Sequence, residues 1–153
     1  MLGTDPLKRA VLMALALLVL YQIAAGQEAL IKAATRYVPG VNWRPESVVV
    51  ADFTCSGQKQ QAILGTDAND IVLAVFVKGA GKRPEVLRYP AKVRNPASAT
   101  LKAEDLDYDP KEDLGYELLG FQRSKSCKGL NLSDGRSDSA HIYWNHVSGE
   151  FND

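Results

Sequence analysis

Residues 48–65 read VVVADFTCSGQKQQAILG and divide into a strand, a polar loop and the start of a second strand. β-Branched and apolar residues fill 47–53, a composition that favours a buried strand. The polar residues 54–60 surround a glycine, which is typical of a tight connection. Apolar character returns at 62–64. The stretch therefore predicts a β-hairpin, and the rest of the chain is interpreted around it.

Turn signals continue after this hairpin at intervals of about ten residues, which is the pattern of an all-β protein. The nearly continuous apolar run over 71–78 predicts a central strand that is buried on both faces. No helix is expected after residue 40. We expect shorter strands at 84–89, 100–106, 118–121, 130–132 and 140–144. The predicted fold class is mainly β, with antiparallel sheets in either a propeller-like or a sandwich arrangement.

Residues 1–26 have the features of a secretory signal peptide. Two basic residues precede an uninterrupted apolar run over 10–21, and small residues follow it. The predicted cleavage point lies between Gly26 and Gln27, and the run is short against the roughly 20 residues that span a bilayer. The alternative is an uncleaved segment that holds the protein at a membrane. We expect a periplasmic or secreted protein with one β-rich domain over 27–153.

Residues 27–38, directly after the predicted cleavage point, carry apolar side chains at helical spacing. Pro39 and Gly40 then stop the helix. The sequence therefore predicts one short N-terminal amphipathic helix that packs on a sheet. Trp43 lies in the loop that follows, and we expect it to fill the core.

The charge and cysteine content restrict the class of function. The chain has 18 basic and 18 acidic residues and a formal net charge of zero. Because general nucleic-acid binders usually have a strong basic excess, nucleic acid is not an expected partner. In an oxidising compartment, Cys55 and Cys127 predict one disulfide bond. The alternative, a reactive thiol pair, lacks the C-x-x-C spacing.

The hairpin stretch resembles a degenerate repeat of the FG-GAP/VCBS type, in which a D-x-[DN]-G-x-x-D loop joins two strands of a β-propeller. Asp52, Thr54, Ser56 and Gln60 fall near the positions where that family places calcium ligands. Only Asp52 is a carboxylate, whereas calcium takes about six to eight oxygen ligands. We therefore expect an ordinary hairpin turn and no required cofactor, with calcium binding near Asp52 as the alternative.

Residues 126–144 add to this resemblance. A cysteine, an apolar strand, an Asp-Gly turn and the strand segment HIYW at 141–144 resemble small exported bacterial proteins with a propeller-like β fold. These include immunity proteins against secreted cell-wall hydrolases, and the fold is similar to that of periplasmic lysozyme inhibitors. The resemblance implies a protein partner and no catalysis.

Charge is distributed unevenly along the chain. Six basic residues lie within 78–94, and seven acidic residues lie within 104–117. An acidic surface attracts a cationic partner and speeds association, whereas the alternative is two solvated loops that offset one another. The loops at 79–82 and 133–136 are the expected tips that contact a partner. The candidate partner-binding residues are Asp105, Asp107, Asp109, Asp134, Arg136, His141 and Tyr143.

The sequence thus predicts an exported, non-enzymatic binding domain, an inhibitor or immunity protein that acts on a cationic, lysozyme-like peptidoglycan hydrolase. The second hypothesis is a structural or glycan-binding envelope module, with Trp43, Tyr143 and Trp144 as stacking residues. The third is a small hydrolase that uses His141, although the sequence contains no serine-hydrolase, zinc-protease or phosphate-loop motif. No metal site is expected, because two histidines are too few for a zinc site.

Overall fold

The computed structural model describes residues 6–153. Residues 1–5, which belong to the predicted signal peptide, lie outside the described residues. In chain order the elements are α1 (Pro6–Tyr37), β1 (Asn42–Trp43), β2 (Val49–Ala51), β3 (Gln60–Thr66), β4 (Asp70–Phe76), β5 (Glu85–Pro90), β6 (Thr100–Leu106), α2 (Pro110–Leu114), β7 (Ser124–Ser133), β8 (Ala140–Asn145) and β9 (Glu150–Asn152).

Within this range the strands form two antiparallel sheets that do not close into a barrel. The first sheet has the order β1-β3-β4-β5, and β2 also pairs with β3. The second has the order β6-β7-β8-β9. The prediction of a mainly β protein with antiparallel sheets is confirmed. The central hairpin is also present, since β2 and β3 pair antiparallel across the polar loop.

The two sheets lie on either side of one apolar core. Leu73 and Phe53 from the first sheet and its loop share this core with Leu130 and Ile142 from the second. Strand periodicity explains the division, because alternate residues of each strand point to opposite faces. The inner face of the second sheet is therefore apolar, and its outer face carries the polar residues of β6 and β8.

The opposite face of the first sheet is covered by the C-terminal part of α1. Leu30 and Ala34 of α1 are fully buried against Val72 and Phe76 of β4. Since Leu73 belongs to the inter-sheet core, β4 is buried on both faces between β3 and β5. This confirms the predicted central strand.

Helix α1 starts much earlier than the predicted helix over 27–38. It is one continuous helix from Pro6 to Tyr37, and it ends two residues before Pro39. The chain between these points is rich in alanine and leucine, which are strong helix formers, and the helix continues through the single glycine, Gly26, at the predicted cleavage point. Among residues 6–153, no helix combines the length and the hydropathy of a membrane span.

Two local predictions are wrong. The expected strand at 118–121 is a turn, in which the Phe121 amide donates to the Leu118 carbonyl at 3.1 Å. The short helix α2 also breaks the expectation of no helix after residue 40. It forms because the Asp109 side chain caps its N-terminus and Gly115, at φ +81°, ends it.

Candidate protein-binding surface

The polar loop at 52–59, between β2 and β3, is fixed to the second sheet. Cys55 and Cys127 form the predicted disulfide, with their Cα atoms 5.1 Å apart. The Lys128 amide donates to the Asp52 carbonyl at 2.9 Å. The pairing of β6 with β7 is irregular at this point, and the bulge places Cys127 beside the loop. The loop therefore joins the two layers covalently.

The Asp52 carboxylate is used inside the same loop. Its two oxygens accept hydrogen bonds from the amides of Ser56, at 3.0 Å, and Gly57, at 2.6 Å. Gly57 has φ +77°, a conformation that glycine adopts without strain. The carboxylate therefore stabilises a turn.

Gln60, at 4% exposure, completes this internal network. Its Oε1 accepts from the Phe53 amide at 2.6 Å, and its Nε2 donates to the hydroxyls of Thr54 and Ser56. These are the oxygens that a calcium ion would need. Within residues 6–153 no three acidic, histidine or cysteine residues are grouped around a metal position. The loop residues do not fit calcium, because Asp52 is the one carboxylate among them and Gln60 Oε1 is directed to the Phe53 amide.

A second polar connection, residues 107–123 between β6 and β7, lies over the outer face of the second sheet; we call it the cover segment. Three aromatic rings attach it. Tyr108 contacts Phe121 at a ring distance of 5.0 Å, and Phe121 contacts Tyr143 of β8 at 5.5 Å. The Tyr143 hydroxyl also donates to the Leu119 carbonyl at 3.2 Å. The cover segment is thus packed on β8.

The cover segment also contacts the turn between β8 and β9. The His146 amide donates to the Gly120 carbonyl at 2.9 Å. Gly120 has φ +71°, and a Cβ atom there would stand 1.9 Å from the Asn145 side-chain oxygen. That oxygen in turn accepts from the amides of Val147 and Ser148. Only glycine fits this approach, which holds Leu119 and Val147 on neighbouring parts of the surface.

Large apolar side chains are exposed where these two segments meet. Leu119 is 72% exposed and Val147 is 73% exposed. Acidic residues accompany them, and within 6–153 Glu112 and Asp113 have no ion pair. Apolar patches with a polar rim mark sites of protein interaction. We define the contact surface as Glu112, Asp113, Leu114, Tyr116, Leu119 and Val147.

The three aspartates predicted to attract a partner are engaged within the chain. Asp105 forms an ion pair with Lys128, and Asp107 pairs with Arg123 at 2.9 Å. Asp109 accepts from the Lys111 amide at 2.9 Å as the cap of α2. The charges of Asp105 and Asp107 are therefore partly offset, and Asp109 is used as a helix cap. Among residues 6–153, Glu112 and Asp113 are acidic residues of this segment with neither an ion pair nor a capping role.

Asp134 does not lie at an exposed tip, as the sequence had indicated, but is 1% exposed. Its carboxylate accepts from the amides of Asn95, at 2.7 Å, and of Arg136 and Ser137, at 3.0 Å each. These amides hold the pKa of Asp134 far below its ordinary value, with the Ser137 amide contributing most. Its placement as a contact residue is corrected: it ties two loops together.

The remaining predicted residues are divided between the two ends of the second sheet. Arg136 is exposed, but its loop lies at the end of β7 opposite to the cover segment. His141 and Tyr143 share the outer face of β8, as predicted, whereas Trp144 packs towards the core. Tyr143 is only 5% exposed, so it supports the cover segment. Trp43 is buried under α1. Of the three proposed stacking residues, Trp43 and Tyr143 are therefore buried, and Trp144 is partly buried.

A small cavity lies between the cover segment and the strands beneath it. It has a volume of about 210 Å³ and is lined by Glu104, Tyr108, Asp113, Leu114 and His141. The Nδ1 atom of His141 lies 2.6 Å from the Glu104 Oε1 atom. Burial, followed by the charges of Glu104 and Asp113, raises the pKa of Tyr108. The described lining of this cavity includes no serine, threonine or cysteine that His141 could activate.

Sequence reasoning missed the apolar part of the contact surface. Its signal is the placement of Leu114, Tyr116 and Leu119 within an otherwise acidic segment. Comparison of the chain with models of protein families, with curated proteins and with solved structures finds no match.

Proposed function

We propose that the protein is an exported binding domain that inhibits, or gives immunity against, a cationic peptidoglycan hydrolase of the lysozyme type. One observation carries the proposal: within residues 112–119 the cover segment exposes apolar side chains beside Glu112 and Asp113, which have no ion pair among the described residues. An apolar centre contributes affinity through buried area, and an acidic rim selects a cationic partner.

The anchoring of the contact surface supports a binding role. Asp109 and Gly115 delimit α2, and the ring of Phe121 joins the cover segment to β8. The approach of Gly120 to Asn145 fixes the other end. A surface held in place before binding loses little conformational entropy when a partner arrives. This suits an inhibitor, which must occupy a defined cleft.

The charge of the contact surface supports a cationic partner. Peptidoglycan is anionic, so many hydrolases that act on it carry positive charge. Glu112 and Asp113 are exposed and have no ion pair among residues 6–153, so their field extends into solvent. The disulfide is compatible with the oxidising compartment in which such hydrolases act. The sequence resemblance of residues 126–144 to small exported proteins, whose fold is similar to that of periplasmic lysozyme inhibitors, implies the same class of partner.

The test measures hydrolysis of a peptidoglycan suspension by lysozyme with micromolar amounts of the protein. We expect inhibition by the wild type and a loss of about tenfold or more in affinity for Tyr116→Ala/Leu119→Ala, since central aromatic and aliphatic anchors dominate interfaces. Val93→Ala is the matched control. Val93 is also an exposed apolar residue, but it lies beside the Asp134 loop at the far end of the sheet.

The Val93→Ala control distinguishes specific binding at the contact surface from non-specific apolar association. Equal losses for Val93→Ala and for the double variant would show non-specific apolar association. No effect of wild-type protein on lysozyme, together with no binding to a panel of basic peptidoglycan hydrolases, would overturn the proposal.

A further inference from the structure

We propose that the cavity beneath the cover segment receives an arginine side chain of the partner. This inference rests on the proposed function, because it assigns a recognition element to the same surface. Asp113 and Leu114 belong both to the contact surface and to the cavity lining, so a partner seated on the surface reaches the cavity.

The size of the cavity favours a single side chain over a free small molecule. Its volume of about 210 Å³ lies below the roughly 300–1,000 Å³ of most small-molecule sites. Its floor is formed by Glu104 of β6 and His141 of β8, and its walls by Tyr108 and Leu114 of the cover segment. Two separate parts of the fold thus build it.

The charge of the cavity favours a cation. His141 occupies only the Oε1 atom of Glu104, and no group within 6–153 hydrogen-bonds to Oε2. The carboxylate of Asp113, also in the lining, has no hydrogen bond or ion pair with the described residues. The Glu104 side chain is only 21% exposed, so water solvates it less than a surface carboxylate. With His141 beside only one oxygen of Glu104, and no basic group on Asp113 among the described residues, the two carboxylates create a site of negative potential.

The walls favour arginine over lysine. A guanidinium group is planar, donates several hydrogen bonds in fixed directions and packs against aromatic rings, whereas an ammonium group is a strongly hydrated point charge. Glu104 and Asp113 supply two acceptors, Tyr108 supplies an aromatic wall, and Leu114 supplies an apolar wall for the methylene stem.

The test is an NMR titration of the disulfide-bonded protein with N-acetylarginine methylamide. The neutral analogue N-acetylcitrulline methylamide, which has nearly the same shape, is the ligand control. We expect shifts of the Tyr108, Leu114 and His141 amides with a dissociation constant in the millimolar range for arginine, weaker shifts for the lysine analogue and none for citrulline.

Two variants locate the binding site. Glu104→Gln keeps an oxygen that faces His141 but removes the charge, and Asp113→Asn removes the second charge. Each is expected to weaken arginine binding by about two- to fivefold, the range of a partly exposed ion pair. Glu28→Gln, on the exposed side of α1, removes the same charge in another layer and should leave the titration unchanged. Thermal unfolding of each variant verifies that it is folded.

The outcomes separate this inference from the proposed function. Shifts for arginine and citrulline alike, or no shifts at the cavity, would overturn the arginine site even if lysozyme is inhibited. NMR shifts of the cavity amides that are specific for arginine would support the site even if lysozyme and the hydrolase panel do not bind. In that case only the proposed identity of the partner would be wrong. A stronger response to lysine would contradict the choice of arginine.

Discussion

The loop at 52–59 and the cover segment at 107–123 are both polar connections between strands, but they use their polar groups differently. In the loop, Asp52 and Gln60 bind backbone amides and neighbouring hydroxyls, and a disulfide joins the loop to the second sheet. In the cover segment, aromatic rings hold the chain from below, whereas acidic and apolar side chains remain in solvent. The loop with the more recognisable pattern is structural, whereas the less patterned segment is the one that we propose as the surface for a partner.

The largest change in the free energy of unfolding should come from removal of the disulfide that fixes the loop at 52–59. Cys55 and Cys127 are 72 residues apart, and on the chain-entropy model such a link stabilises a protein by about 4 kcal/mol. We expect Cys55→Ser/Cys127→Ser to lower the free energy of unfolding in urea by about that amount. Reduction of the wild type with dithiothreitol is the matched comparison. An unchanged unfolding midpoint in both experiments would mean that the loop does not hold the layers together.

A smaller loss is expected when the Gln60 side chain is removed. Gln60→Ala deletes three hydrogen bonds and leaves the Phe53 amide without its acceptor, so we expect a loss of about 2–3 kcal/mol in unfolding free energy. Gln58→Ala, in the exposed part of the same loop, should change it by less than about 0.5 kcal/mol. Similar values for the two variants would contradict the structural role of the loop network.

The loop that contains Asp134 should behave like the loop at 52–59 and should in addition respond to pH. The folded-state pKa of Asp134 lies below the ordinary value of 3.8, so its stabilising effect is complete above that pH and is lost as pH falls through the folded-state pKa. Asp134→Asn should lower the unfolding midpoint at pH 7 by about 5–10 °C. The difference from wild type should shrink at pH 3, and a constant difference between the two pH values would argue against this assignment.

In the cover segment, by contrast, removal of unpaired charge should leave stability intact. Glu112 and Asp113 are exposed and make no ion pair within 6–153, so Glu112→Gln/Asp113→Asn should change the unfolding free energy by less than about 0.5 kcal/mol. Asp105→Asn/Asp107→Asn/Asp109→Asn removes two ion pairs and the negative charge at the start of α2, and should cost more in chemical unfolding. The reverse order would show that the unpaired charges stabilise the fold.

The smallest effect is expected from calcium. The Asp52 oxygens already accept amide hydrogen bonds, so the unfolding midpoint should be the same in EDTA and in millimolar calcium. A ligand of the native state alone would raise it, and a rise of several degrees with calcium would show that the loop rearranges into a metal site.

The strands were predictable where a local pattern determines the structure. The apolar run at 71–78 corresponds to β4, and the alternation at 140–144 corresponds to β8. A strand that is buried on both faces needs consecutive apolar residues, and a strand that is buried on one face needs alternating ones, so both patterns can be recognised locally. The disulfide was also predictable from the sequence, since the chain has two cysteines and therefore one possible pairing within it. The start of α1 did not follow, because a run of helix formers has no internal signal for its beginning.

The site depends on contacts between distant residues, and these leave little local signal. The Asp-Gly dipeptide at 134–135 correctly indicates a turn, but the carboxylate turns inward to bind an amide 39 residues away. Leu119 lies in a short apolar run that is typical of a strand, yet the approach of Gly120 to Asn145 makes it an exposed turn residue. Exposure of an apolar residue depends on what the fold places over it, and sequence spacing does not reveal this.

The central claim is that the cover segment attracts a cationic hydrolase, and association kinetics with lysozyme test it most directly. The association and dissociation rate constants of wild type and of Glu112→Gln/Asp113→Asn are measured in about 10 mM and about 100 mM salt, which change the screening length about threefold. The account predicts that neutralisation and salt both slow association and leave dissociation nearly unchanged. Association that is insensitive to salt and to the variant, or no complex in either buffer, would contradict the account.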